Sequence, residues 1–316
     1  MQRRKIQLIA GTTYSVSLPK DWIKKNNLKE KNELYIHEKN DRTLVISPNL
    51  VEEKRLSDIS LNVDDYILNI DQILFALYYL GIENISLFSK NGLAKDVKAK
   101  IRKTLTHMSG TEISYEDEER IVIKGLLDSS KIDITQLIYR ISLIIELSVT
   151  NILEKLDINE IKINENEIDR LYHLIAKIIS LSLIDSKILN SSKIKNISLV
   201  PPYFLISKKL ENIGDNINHL SDYLQKKKDN FEHKKEILHF IKNEIHRSIR
   251  NIINNFSEDF QKADSGKLKI IYGHIYKIKD NTILDYLEDV IRFIIDIEEE
   301  IVNISFYNKL IKENSL

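Results

Sequence analysis

The sequence predicts a multidomain, mainly α-helical chain: a small N-terminal β module, a small α/β connector and a long helical C-terminal part. Three observations carry this. Short strand-like runs separated by turn residues fill residues 1–50. Strand-like and helix-like runs alternate over 56–130. From 131 to 316 apolar residues return at alternating spacings of four and three, the pattern of helices packed lengthwise.

The 316 residues are enough for two or three domains, and the helical part divides into expected bundles at 131–228 and 229–316. Basic and acidic residues balance at 47 each, so bulk charge names no partner. The absence of cysteine excludes disulfides, thiolate metal sites and a cysteine nucleophile. The apolar run after Arg3, Arg4 and Lys5 is too short for a secretory signal. Glu146 interrupts the run at 141–153, so no membrane span and a cytoplasmic location are expected.

In the first module, 4–11 and 14–19 read as strands around a turn at 11–13, 20–27 as a short helix, and 33–39 and 43–48 as strands around an Asn40-Asp41 turn. Four short strands hide too little surface to fold alone, so dimerisation is expected. Residues 1–31 hold eight basic side chains against Asp21 and Glu30, a local net of +6. Such a patch suits DNA phosphates, and it equally suits a solvated surface. Trp22, beside Ile23 and Leu28, reads as a core anchor.

The stretch GTTYSVSLPKDWIKKNNLKEKNELYI resembles the AbrB/SpoVT/MazE-type swapped-hairpin domain, with Gly11, Val16, Leu18, Pro19 and Leu28 at the family's positions. The resemblance implies two copies interleaved into one β-barrel that binds DNA. Arg3, Arg4 and Lys5 become the foremost candidates for DNA contact, with Lys20, Lys24 and Lys25 beside them. Lys31-Asn32 stands where the family has Gly-Asp, and Asn is the residue of the two that tolerates a left-handed backbone.

The middle reads βαβαββ, with helices over 65–80 and 93–108 and a hairpin turning at 117–119. It lacks a Gly-rich phosphate loop or nucleophile elbow and reads as a connector. The first helical trio is 135–156, 160–185 and 201–227, with a polar loop at 191–200. Asp133 or Thr135 caps its first helix, and Pro201 and Pro202 open its last. Residues 226–230 read as a junction. The second trio is 231–260, with Phe256 inward, a short helix to 278, and 281–306.

Two of these helices carry acidic stripes. Ile168, Leu171, Ile175 and Ile178 mark one seam, with Glu165, Asp169 and His173 off it at four-residue spacing. Ile206, Leu210, Ile213, Ile217, Leu220 and Leu224 mark the other, with Glu211, Asp215 and His219 off it. Residues four apart sit one above the other, so each stripe forms an outward face able to share a cation if the helices are antiparallel neighbours. Carboxylates suit Mg²⁺, and added histidines widen the choice to zinc, iron or manganese. An ordinary solvated helix face carries the same residues.

The segments EIDRLYHLI at 167–175 and LENIGDNI at 210–217 resemble the helical signatures of the PhoU family of phosphate-uptake regulators. That resemblance implies a pair of three-helix bundles. It also implies an iron or zinc cluster on Glu165, Asp169, Glu211 and Asp215; His173 and His219 lie outside the family motif and are candidates only by their matching places on the two stripes. A repeat of the motif in the last helix is spoiled because Arg292 stands four beyond Glu288. Together the two resemblances imply a non-enzymatic, DNA-binding transcriptional regulator of phosphate homeostasis, dimeric through its N-terminus. The alternative is a metal-binding scaffold that acts on a phosphate transporter or signalling protein, with the N-terminal module only dimerising.

Overall fold

The computed structural model describes residues 3–38, 43–49, 57–227, 230–254 and 260–314. They fall into two compact units, Met1–Arg55 and Leu56–Leu316. The expected turn at Asn40 and Asp41, the junction residues Lys228 and Asp229, and Phe256 lie outside the described residues.

In the first unit β1 (Gln7–Ile9) pairs antiparallel with β2 (Thr13–Ser15), Ile9 opposite Thr13. Helix α1 (Lys20–Lys25) follows Pro19 and places Lys24 and Lys25 in its last turn, where cations complement the helix dipole. β3 (Tyr35–Glu38) and β4 (Leu44–Ser47) form a second antiparallel pair. Lys31, not Asn32, adopts the left-handed backbone, at φ +68°. Asn32 closes the turn in another way, its Oδ1 accepting the Lys29 N–H at 2.6 Å. None of the described residues here is buried. Ile6 is 71% and Tyr14 73% exposed, Leu8, Ile9, Ile36 and Leu44 are also exposed, and Trp22 is only half-buried. Covering such a side chain contributes about 1.5–3 kcal/mol, most of which a lone copy forgoes.

The second unit opens with β5 (Asp58–Asn62), α2 (Ile70–Tyr79), β6 (Asn84–Phe88), α3 (Lys95–Leu105), β7 (Thr111–Glu116) and β8 (Arg120–Gly125), the expected order. The sheet runs β5-β6-β8-β7. β5 and β6 are parallel, as a helical crossover requires, and β7–β8 is a hairpin with an irregularity between Ile113 and Tyr115. Ile85, Leu87, Ile121 and Ile123 alternate onto one face and are buried with Ile70, Leu74 and Ile101 of the helices.

The helices are α4 (Ile134–Glu154), α5 (Ile158–Ser182), α6 (Ser186–Ser191), α7 (Val200–Lys227), α8 (Lys234–Ile253), α9 (Ser265–Ile275) and α10 (Asn281–Asn314). Aspartates start several of them. The Thr135 N–H donates to Asp133, that of Asn159 to Asp157, and that of Lys267 to Asp264. Pro201 and Pro202 sit in the first turn of α7.

Helices of both expected trios contribute to one continuous core, from Ile134 on α4 to Ile304 on α10. Polar pairs between helices fix their order. Asn164 Nδ2 donates to Ser148 Oγ across α4–α5 at 3.1 Å, and Lys242 Nζ to Thr150 Oγ1 across α4–α8 at 2.8 Å. Lys209 meets Asp296 across α7–α10 at 2.6 Å. The fully buried Glu298 is held by Arg247, by Ser248 Oγ and by the Ala263 N–H. The loop at 191–200 is less polar than expected, because Ile194, Leu199 and Val200 are buried in the core.

The expectation that no segment has the makings of a membrane span is corrected. By length and composition α4 qualifies. It serves instead as a core helix: Ile134, Ile138, Ile141, Ile145 and Val149 are fully buried, and Glu146 lies 3.3 Å from His246 of α8.

A lysine in the left-handed region costs roughly 1–2 kcal/mol, part of which a glycine's extra unfolded freedom offsets. Lys31→Gly is expected to stabilise the first unit by about 0.5–1 kcal/mol. Trp22 is the sole tryptophan, so its fluorescence during urea unfolding of the full chain reports this unit. An unchanged or lowered midpoint would contradict the strain.

Candidate DNA-contacting module and carboxylate site

Arg3, Arg4 and Lys5 precede β1 and are exposed, and so are Lys20, Lys24 and Lys25 on α1. All six residues are exposed within the first unit, as phosphate contacts require.

The carboxylates arise from the packing of α5 on α7. The helices are antiparallel: Lys162 reaches Asp222 at 3.5 Å, while ten residues further along α5 Tyr172 lies beside Phe204, with ring centroids 6.4 Å apart. Between these contacts Ile168 packs onto Gly214. A Cβ at Gly214 would lie 2.9 Å from Ile168 Cδ1, so any larger residue here requires the Ile168 side chain to shift. The next residues along each helix are Asp169 and Asp215. Carboxylate oxygens of Glu165, Asp169 and Asp215 lie within 4.8 Å of one another, and all three residues are half-buried. The expectation of outward, solvated stripes is corrected for these three residues, which face one another across the helix pair.

Glu211 stands apart from that trio. Lys208 Nζ donates to both of its oxygens, at 2.5 and 2.7 Å, and lies 5.0 Å from the centre of the Tyr172 ring. Burial pushes the carboxyls of Glu165, Asp215 and Glu211 up. Asp169 is pushed furthest, to about 7, by burial first and then by Glu165, Asp215 and Glu211, against the pull of Lys208. Three carboxyls so close favour a proton or a cation among them.

Neither histidine joins the trio. His173 is turned toward the α/β layer: its Nδ1 and the Tyr79 hydroxyl of α2 share a hydrogen bond at 2.5 Å, and its ring stacks on Phe75 at 3.9 Å. Burial lowers its imidazole to about 4. His219 has its ring 6.0 Å from that of Tyr286 on α10 and acts on Glu165 only as a nearby charge that lowers its pKa. On α10, Glu288 accepts from the Tyr276 hydroxyl at 3.2 Å and Arg292 pairs with Asp289 at 2.7 Å. The trio above is the only such ligand group among the described residues.

Gly214, Lys208 and Tyr79 escaped the sequence reading. For Gly214 a signal existed: an isolated glycine inside a heptad run marks a close approach. Tyr79 lies 94 residues from His173, and no local pattern announces that pairing.

Residues 7–53 match the family model described as "Antidote-toxin recognition MazE, bacterial antitoxin". No curated protein and no solved structure matches the chain. The N-terminal unit therefore carries a MazE/AbrB-like domain, and the match ends before the α/β layer and the helices.

The pKa of Asp169 has a consequence for stability. A carboxyl that titrates near 7 in the fold and near 3.8 ordinarily takes up its proton in the fold first. Its stabilising contribution is complete below the lower value and is lost as pH rises through the higher one. In metal-free buffer the wild-type chain is expected to lose stability relative to Asp169→Asn between pH 4 and pH 7. Parallel urea midpoints across that range would contradict the shift.

Proposed function

We propose that the chain is a non-enzymatic, DNA-binding transcriptional regulator whose helical part senses an effector. The observation that carries this is the MazE-like match at 7–53, joined to the exposed Arg3, Arg4, Lys5, Lys20, Lys24 and Lys25. Two copies joined through the N-terminal domain would cover the exposed Ile6, Leu8, Ile9 and Tyr14 and double the positive charge offered to a duplex. A cytoplasmic location is part of this proposal.

The carboxylate trio is the effector site in this reading. Its donors are all oxygens, the set that suits a hard divalent cation such as Mg²⁺ or Mn²⁺. An iron or zinc cluster fits less well, because His173 is engaged by Tyr79 and Glu211 by Lys208. Glu165, Asp169 and Asp215 would hold the ion, whose charge would offset their mutual repulsion. The effector acts only if it binds two arrangements of the chain unequally. Control of phosphate uptake, with a transporter or signalling protein as further partner, is the finer part of the proposal. It rests on the likeness of 167–175 and 210–217 to PhoU helices.

Full-length protein is titrated with duplex from upstream of its own gene across a salt series, beside a variant with Arg3, Arg4 and Lys5 all changed to Glu. Wild-type affinity is expected to fall steeply with salt, and the variant to bind on the order of tenfold or more weaker with a shallower slope. Equal binding by the two proteins would overturn the assignment of these residues. No binding by either would favour the scaffold that acts on a transporter or signalling protein.

A further inference from the structure

The α/β layer reads as a passive connector in the sequence, yet it is docked on the same helix that carries the carboxylates. Contacts of α5 with this layer follow one another from the cluster onward. Arg170 Nη1 donates to Ser109 Oγ at 2.6 Å, and Ser109 O accepts from the Tyr78 hydroxyl at 3.0 Å. His173 meets Tyr79 and Phe75 as described. Lys177, only 5% exposed, sets its Nζ 4.4 Å from the centre of the Tyr78 ring. Gly81, just past α2, packs on Leu181.

Tyr79 touches the stripe of α5 that carries the cluster. Through its hydroxyl it holds His173, which lies one helical turn beyond Asp169 on the same stripe of α5. Burial first, then Tyr172 and the charge of Glu211 on α7, suppress the ionisation of Tyr79. A shift of α5 that changed how Asp169 meets Asp215 would carry His173 with it, because Asp169 and His173 ride on the same helix. In chain order α2 follows β5, the first strand after the N-terminal unit, so the layer lies between the cluster and the DNA-contacting module in sequence.

We infer that the Tyr79–His173 contact makes the α/β layer respond to occupancy of the carboxylate site, with Tyr79 as the positioning residue. This rests on the cation reading above and adds the route by which occupancy leaves the bundle. A residue that merely glues two layers would loosen α2 equally with and without a cation. A positioning residue alters the difference between the two states.

Hydrogen exchange of the full chain, with Mn²⁺ as probe and with chelator, separates the two. In wild-type protein Mn²⁺ is expected to slow exchange in α5 and α7 and also in α2, by about fivefold or more. Tyr79→Phe keeps the ring and removes only the hydroxyl. It is expected to retain slowing in α5 and α7 and to lose it in α2, and His173→Leu to behave alike from the other side of the contact. Slowing confined to α5 and α7 in wild type, or retained in α2 of both variants, would overturn this inference and leave the cation reading standing. No slowing anywhere in wild type would overturn the cation reading and this inference with it.

Discussion

The architecture of the candidate site depends on one close approach, that of α5 to α7 at Ile168 and Gly214. A side chain at Gly214 would meet the Ile168 side chain at 2.9 Å, so this contact would have to rearrange. With the helices in contact, the neighbouring Asp169 and Asp215 come together and Glu165 joins them. Like charges in a half-buried site are unfavourable, and the chain meets this partly by raising the carboxyl pKa values and partly by seating Lys208 on Glu211. The apolar seam that makes the bundle is thus also what concentrates the acid. Ile206, Leu210, Ile213 and Ile217 are all buried on the other side of α7 and hold it in place.

The N-terminal unit presents the opposite condition. It has strands, a capped turn and a short helix, but no buried residue among those described. Its stability is left to what covers Ile6, Leu8, Ile9 and Tyr14, and a second copy is the cover that the MazE-like domain suggests. The chain thus joins two different physical parts. One end is basic with its apolar side chains exposed, and the other is a helical core with an acidic seam.

Much of this was legible in the sequence. Heptad spacings placed the helices, proline and aspartate placed their starts, and the four-residue stripes named Glu165, Asp169 and Asp215. The direction in which the stripes face was not legible. Periodicity fixes a residue's place on its own helix, whereas exposure depends on which helix packs against that face. His173 shows this most clearly, since its place on the stripe suggested a ligand and its neighbour Tyr79 comes from the α/β layer. Lys31 is a similar case. Propensity favoured Asn32 for the left-handed position, but Asn32 is used to accept the Lys29 N–H and the strain falls on the lysine. In the loop at 191–200 polar composition masked three residues that the core recruits.

The most direct test of a link between the two ends measures DNA affinity of the full chain at one fixed ionic strength, once with Mn²⁺ and once with chelator. The duplex is again taken from upstream of its own gene. Control by the carboxylate site predicts that the two dissociation constants differ by about fivefold or more and that Asp169→Asn abolishes the difference. Identical affinities in a protein that binds both DNA and Mn²⁺ would contradict the claim that the carboxylate site governs the DNA-contacting end.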